Sequence, residues 1–493
     1  MAEMAVTPRR SALESTFKFA ENKTTLARDT VAGATTFIVM SYIIFVNPII
    51  LSFSGVNGLE NQGLPFDAVL TGTCVVAAAM TVLMGLYANR AYAIAPGLGI
   101  NAVVAYGLVV GAGLSWPAAM GLVVLEGAAV TLLVLTGIRE QIMRAIPLEL
   151  KKAIAIGIGL FIAFIGLYNS GIVAKGTAEP VALGSFTTWP ILVTIFGLVV
   201  TVVLRARGFR GDLLVGIILT TALATIVNWA TDYTAFTTPG AARIPDHVVE
   251  RPDFSLFGDI SMQAFSTLGV VAALVWVFAL FLSDFFDTMG TLVGVGRQAG
   301  YLNEKGELPE IRKPLLVDSV AAMAGGAAST SSATTYIESG AGVAAGGRTG
   351  WTSVVTGVLF LPFLFISPII GMVPAQATAP ALIIVGWLMI SVLTEAEEEA
   401  EPGTGAAAAA GQRKFAGIDF HDLAIGLAAA LTIMIMPFTF SIANGIGFGF
   451  IAYVIVRAAQ GEWRRVHPFM WISAAAFTLY FLVPLLQDNL SWI

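Results

Sequence analysis

Five carboxylates stand within stretches apolar enough to cross a lipid bilayer: Glu126, Asp284, Asp287, Asp318 and Glu338. A charge at the centre of a bilayer costs about 2.5–3.5 kcal/mol on insertion scales, so each is a functional candidate by default. An ionised carboxylate at that depth can accept N–H donors from a ligand, and one that exchanges a proton can couple transport to a gradient. Glu338 lies in "STSSATTYIESGAGVAAGGRTG" (329–350), rich in Gly, Ser and Thr where a spanning helix is due, and is expected to touch substrate. Asp284 and Asp287, in "FLSDFFDTMGTLVGVG", are three apart and share roughly one helix face. Asp287 precedes Thr288, Gly290 and Thr291, a small polar face, and is expected to serve substrate or proton. Asp284 reads either as a proton site or as a hydrogen-bonded structural acid. Asp318, in "PLLVDSVAAMAGG", is expected either to couple protonation to the site or to bond backbone beside it. Glu126, alone in "VVLEGAAV", reads as a structural or packing residue.

The other titratable residues narrow the chemistry. His247, His421 and His467 fall in loops or at segment ends, which leaves proton coupling to the carboxylates. No Lys or Arg occupies the middle of a segment. An anionic substrate would want a fixed cation there; a neutral, planar ligand with N–H donors suits carboxylate acceptors better. No Ser/His pair or metal-spaced Cys/His cluster is present, so neither an enzyme nor a cofactor or metal is expected.

The elements that must position these acids follow from composition. The 493 residues are 57% hydrophobic and 12% charged, with mean hydropathy +0.83, against about 25% charged in soluble domains. This is an all-α polytopic membrane protein whose partner is the lipid bilayer, and a net charge of −6 gives no footprint for nucleic acid. Cys74 has no second cysteine to pair with. The polar N-terminus, 1–29, lacks the apolar core of a signal peptide and is expected to stay on the chain. Segments 1–4 are expected within 30–137 (30–53, 67–88, 92–114, 116–137) and segments 5–7 within 153–231 (153–173, 189–204, 213–231). Segments 8–11 are expected within 267–373 (267–294, 315–326, 334–347, 351–373) and segments 12–14 within 376–456 (376–393, 423–438, 442–456). A further apolar stretch, 468–486, either spans or lies in the interface. With a cytoplasmic N-terminus and strict alternation, only Lys175, Arg243 and Arg251 of the 26 Lys and Arg residues fall outside, as the positive-inside rule requires. The acidic, Ala-rich stretch 394–414 reads as a flexible cytoplasmic loop.

Seven segments per half is an odd number, so the halves insert upside down relative to each other. Inverted repeats of this kind place the binding site at the midplane, where helices are interrupted. The third segment, "AIAPGLGINAVVAYG" (93–107), and the tenth, "TTYIESGAGVAAGG" (334–347), are the interrupted ones. Pro96 and Thr335 lie 239 residues apart, and Thr30 and Thr267, which open the first and eighth segments, lie 237 apart. Unwound backbone at that depth is tolerated only where it faces protein or trapped water.

The stretches "TTFIVMSYIIFVNP" (35–48), "APGLGINA" (95–102), "FFDTMGTLVGV" (285–295), "ATTYIESGAGVAAGGRTG" (333–350), "ATAPALIIVG" (377–386) and "MPFTFSIANGIGFGFIAY" (436–453) run over nearly the whole chain. With them the sequence resembles the nucleobase–cation symporter-2 family, in its AzgA-like purine permease branch. The resemblance implies fourteen helices in a seven-plus-seven inverted repeat. Segments 1–4 and 8–11 would form a core domain, segments 5–7 and 12–14 a gate domain, and segments 3 and 10 would each hold a short strand. It also implies proton-driven uptake of guanine, hypoxanthine or adenine across the plasma membrane. By motif, Glu338 falls on the family's substrate-binding acid, Asp287 on the acid of segment 8 and Asp318 on that of segment 9. Uracil and xanthine relatives carry a histidine four residues after the segment-8 acid; here that place is Thr291, so their proton relay does not carry over. Asn101 and Ser339 are candidates for the other edge of the purine, and Phe37 or Tyr42 for stacking on its ring. Sodium stays open as the coupling ion, and a homodimer is compatible with the resemblance. A xanthine or uracil carrier and an anion transporter of the same fold are the alternatives.

Overall fold

The computed structural model describes residues 12–56, 58–59, 61–137, 145–176, 179–303, 308–391 and 417–489; the acidic stretch 394–414 lies outside them. Among the described residues, eight helices are long and apolar enough to span a bilayer: Leu26–Leu51, Phe66–Ala88, Trp116–Thr136, Leu148–Asn169, Trp189–Ala206, Asp212–Ala230, Val270–Gln298 and Ile442–Ala459. They are segments 1, 2, 4, 5, 6, 7, 8 and 14. The remaining segments are shorter or broken. Segment 3 is the strand Ile94–Pro96 (β1) followed by helix Leu98–Ala102 and a π-helical run, Val103–Gly111. Segment 9 is Arg312–Ala327, and segment 10 is a strand, Ala333–Thr335, followed by helix Ser339–Ala344. Segment 11 is three pieces, Gly350–Val358, Leu361–Phe365 and Ser367–Gly371; segments 12 and 13 are Ala375–Ile390 and Leu423–Phe438. A two-residue hairpin, Val173–Ala174 (β2) with Ala182–Leu183 (β3), closes the loop after segment 5. The segment-10 strand is therefore β4.

Local chemistry sets these limits. Thr25, Asp422 and Ser441 accept backbone N–H groups at the starts of segments 1, 13 and 14, and Pro117 and Pro190 occupy first turns that need no donor. Segment 1 carries an unforeseen break. Its helix runs Leu26–Met40, turns at Ser41 and Tyr42, and resumes as Ile43–Leu51. At the kink the tighter bonds Ile44 N to Ser41 O and Phe45 N to Tyr42 O form, and Pro48, within the second helix, leaves Ile44 O without its usual donor.

The segments pack as two bundles. Segments 1, 2 and 4 lie against 9, 10 and 11, while segment 5 packs on 12 and 13, and segments 6 and 7 on 12. The stretch beyond segment 14 forms the helix Pro468–Asn489, about 33 Å long at 1.5 Å per residue. It runs beside both segment 14 and segment 8, with Phe477 against Phe450 and Phe278.

The fold has a local two-fold centre. β1 and β4 pair antiparallel, with Ile94 opposite Thr335, Ala95 opposite Thr334 and Pro96 opposite Ala333. The flanking bonds repeat about the Ala95–Thr334 pair: Gly97 N donates to Ser332 O and Tyr336 N to Ala93 O, both at 2.9 Å. That symmetry relates residue 97 to 336 and residue 93 to 332, the same spacing of 239 read from the sequence. The molecule is thus a seven-plus-seven inverted repeat whose two interrupted segments meet at one strand pair.

Candidate functional site

Both strands are fully buried, so each of their outward polar groups needs a partner. For β1 the partner is Thr81 of segment 2, whose hydroxyl donates to Ile94 O and accepts Ile94 N, both at 2.9 Å. For β4 it is Asp318 of segment 9. One carboxylate oxygen accepts Thr335 N at 2.9 Å and the Thr335 hydroxyl at 2.8 Å; the other accepts the Thr288 hydroxyl at 2.7 Å. The hydroxyls of Thr288 and Thr334 also bond at 2.8 Å, which ties segment 8 to the strand. Tyr336 sends its hydroxyl across to Pro96 O.

Beyond β4 the chain turns and the half-helix Ser339–Ala344 begins, with Glu338 at its N-cap. Both ends of this short helix are pinned. The Ser339 hydroxyl accepts Ala93 N at 2.9 Å and donates to Tyr336 O at 2.6 Å. At the other end the Arg348 guanidinium donates to Val343 O and Gly347 O at 2.6 and 2.7 Å. Asp29, buried at the start of segment 1, accepts Arg348 N, Thr349 N and the Thr349 hydroxyl.

Glu338 is thereby presented on a rigid mount. It is partly buried, and its Oε1 accepts the hydroxyl of Tyr42, the residue at the break in segment 1, at 2.6 Å. Asp287 is also partly buried and lies within electrostatic reach of both Glu338 and Asp318. Thr291, buried, follows four residues later on the same helix, and Asp284 is fully buried one turn before Asp287. Arg205, at the end of segment 6, is within electrostatic reach of Glu338 but is already paired with Asp212 at 2.5 Å.

The structure thus brings Glu338, Asp287 and Asp318 to one break, with Thr291 one turn beyond Asp287 on segment 8, and gives Asp318 structural bonds there. Ser339 adjoins Glu338, with both its bonds going to backbone. Two candidates point elsewhere. Asn101 is fully buried and donates to Asn47 at 2.6 Å; Asn47 donates in turn to Thr73 at 2.8 Å, joining segments 1, 2 and 3. Phe37 packs edge-on against Phe360, ring centroids 5.0 Å apart, and against Phe363 at 5.5 Å. Glu126 plays a structural part beside the break, accepting the Ser332 hydroxyl at 3.5 Å. Sequence reading missed Thr81 and Asp29 and valued Tyr42 only for its ring. A cavity of about 940 Å³ also opens between the end of segment 1 and the loop after segment 7, lined by Ser52, Asp67, Trp229, Arg243 and Glu250. None of the acids of segments 8–10 faces it, so it is not taken as the central site.

Comparison with known proteins follows the same lines. Residues 28–399 match a family model described as "Permease family". The chain is 38% identical to the guanine/hypoxanthine permease PbuG of Bacillus subtilis, covering 95% of this chain and 99% of that protein. It is 36% identical to the adenine permease AdeP of Escherichia coli, covering 95% of each. In fold it is similar to the transmembrane domain of the cyanobacterial bicarbonate transporter BicA (TM-score 0.54, 15% identity, 87% of this chain and 97% of that one). It is also similar to the murine anion transporter Slc26a9 in its inward-facing state (TM-score 0.61, 10% identity, 93% and 74%).

Proposed function

Because the chain belongs to the permease family, we propose that it is a proton-coupled secondary transporter that imports purine nucleobases through the plasma membrane, with its N-terminus cytoplasmic. The observation that carries this reading is the half-buried Glu338 at the mouth of the segment-10 half-helix, facing Tyr42 and near Asp287. A carboxylate held there accepts a fork of donors, and guanine offers one on a single edge, N1–H beside N2–H₂. Hypoxanthine offers N1–H alone. Relatives that carry guanine, hypoxanthine and adenine at 36–38% identity support the purine class.

In this mechanism Glu338 binds the base and Asp287 exchanges the proton. Asp318 and Ser339 hold the break, while Thr291 lines the face beside Asp287. An outside proton taken up by Asp287 favours the loaded state. Segments 1–4 and 8–11, acting as a core, then move against segments 5–7 and 12–14, acting as a gate, and release inside restores the charge. Sodium dependence is the alternative for the driving ion. Two measurements test the assignment. Asp287→Asn is expected to equilibrate guanine without accumulating it, and undiminished concentrative uptake removes Asp287 from coupling. Glu338→Gln is expected to lose guanine binding, and unchanged affinity contradicts direct contact.

A further inference from the structure

We propose that Tyr42 is a specificity-determining residue: its hydroxyl donates to the 6-oxo group of a bound purine whose N1–H is held by Glu338. The inference rests on the purine reading above and adds a residue and an atom to it. Tyr42 is 1% exposed and sits at the turn between the helices Leu26–Met40 and Ile43–Leu51, where its hydroxyl reaches segment 10. Its single O–H proton goes to Glu338 Oε1 at 2.6 Å.

A 6-oxopurine presents O6 and N1–H as neighbours along one edge. The carboxylate oxygen that takes N1–H therefore has O6 at its flank. Once desolvated, O6 needs a donor, since an unpaired acceptor in a closed site costs most of what its partner would gain. Three neighbouring hydroxyls at the break are engaged. The Thr288 hydroxyl serves Asp318 and Thr334, the Thr335 hydroxyl serves Asp318, and Ser339 bonds backbone. A phenol O–H swings about its C–O bond without moving its ring, so the proton held on Glu338 can turn to O6 as N1–H replaces it. Tyrosine and glutamate then read the edge together, one as donor and the other as acceptor.

The test is a ligand–mutant cycle on the purified full-length protein, titrated with guanine and with 6-thioguanine. The thio analogue keeps N1–H and N2–H₂ but replaces O6 with a poor acceptor. The wild-type protein is expected to prefer guanine. In Tyr42→Phe, guanine affinity should fall about tenfold while 6-thioguanine changes less than threefold, so that the preference collapses. Equal losses for both ligands, or no loss for either, overturn the proposal, because a merely structural role would weaken both alike. If Tyr42→Phe does not purify, 3-fluorotyrosine at position 42, a better donor with the same ring, should widen the preference; an unchanged preference again overturns it. A wild-type protein that binds neither base fails the purine reading itself, an outcome distinct from a cycle without coupling.

Discussion

About the Ala95–Thr334 pair, Gly97 and Gly99 of segment 3 correspond to Tyr336 and Glu338 of segment 10. The backbone device is shared: a three-residue strand, a turn and a short helix aimed away from the partner strand. The side chains are not. A Cβ at Gly97 would stand 2.8 Å from Thr334 Cγ2, and one at Gly99 would stand 2.8 Å from Ile158 Cγ2 on segment 5. The first copy is thus pressed against β4 at Gly97 and against segment 5 at Gly99, and has no room for a side chain at either position. The second copy has room, and fills it with a tyrosine that bonds back to Pro96 and an acid that faces Tyr42. The repeat supplies two half-helices, but packing leaves only one of them free to meet a ligand.

The largest effect should separate the two acids of the second copy. Glu338→Gln is expected to lower guanine affinity by about 30-fold or more, in the range for removing one partner of a buried charged hydrogen bond. It should leave the thermal midpoint unchanged or raised, since the amide carries no half-buried charge. Asp318→Asn should behave oppositely. It replaces an acceptor of three hydrogen bonds with a group that offers N–H to donors already facing it, a loss of about 2–4 kcal/mol in stability. Thermal unfolding of both variants with and without guanine checks the pair. A destabilised Glu338→Gln, or a fully stable Asp318→Asn, would break the division between ligand acid and structural acid.

How far the sequence reached depends on where each signal is stored. Span limits and the two interruptions were legible because apolar runs, glycines and prolines act locally, over one segment. The 239 spacing was legible for the same reason: both copies of the interruption carry their own marks. Glu338 and Asp287 stood out because an acid at membrane depth is costly wherever it points. The duties of Ser339 and Asn101 were not legible, since their partners are Ala93, 246 residues away, and Asn47, 54 residues away. Phe37 gave a chemical type but not a direction, and it turns toward Phe360 and Phe363. The break at Ser41 and Tyr42 left no such mark, since the N–H that Pro48 lacks would face Ile44 O, within the helix that resumes after it.

A smaller effect tests the crowding on the first copy. Gly99→Ala places a methyl 2.8 Å from Ile158 Cγ2, closer than carbon atoms pack, and Ile158 is buried with its backbone helical. Overpacking of this kind costs about 1–3 kcal/mol. Ile158→Ala removes the opposing methyl, so the double variant should recover much of the loss. Stability of the two singles and the double gives the coupling directly. Additive losses would mean that segment 5 does not close on Gly99, and the reason given for the empty first copy would go with it.

The smallest effect concerns why only the second strand is served by an acid. Thr335 presents an N–H away from the strand pair, and Asp318 accepts it at 2.9 Å. The symmetric position in the first copy is Pro96, which has no N–H to satisfy. Segment 2 accordingly offers β1 a neutral hydroxyl, Thr81, which serves Ile94 instead. Pro96→Ala would create the missing donor in a fully buried strand whose segment-2 hydroxyl, Thr81, already serves Ile94. The bond from the Tyr336 hydroxyl uses the carbonyl of residue 96 and would survive the change. The expected cost is about 1–2 kcal/mol, one unsatisfied donor plus the lost restriction of the unfolded chain. Thermal unfolding of Pro96→Ala should show it, with purine affinity within about twofold of wild type. A neutral Pro96→Ala would mean that the new N–H finds a partner, and that Asp318 answers to something other than the donor it accepts from Thr335.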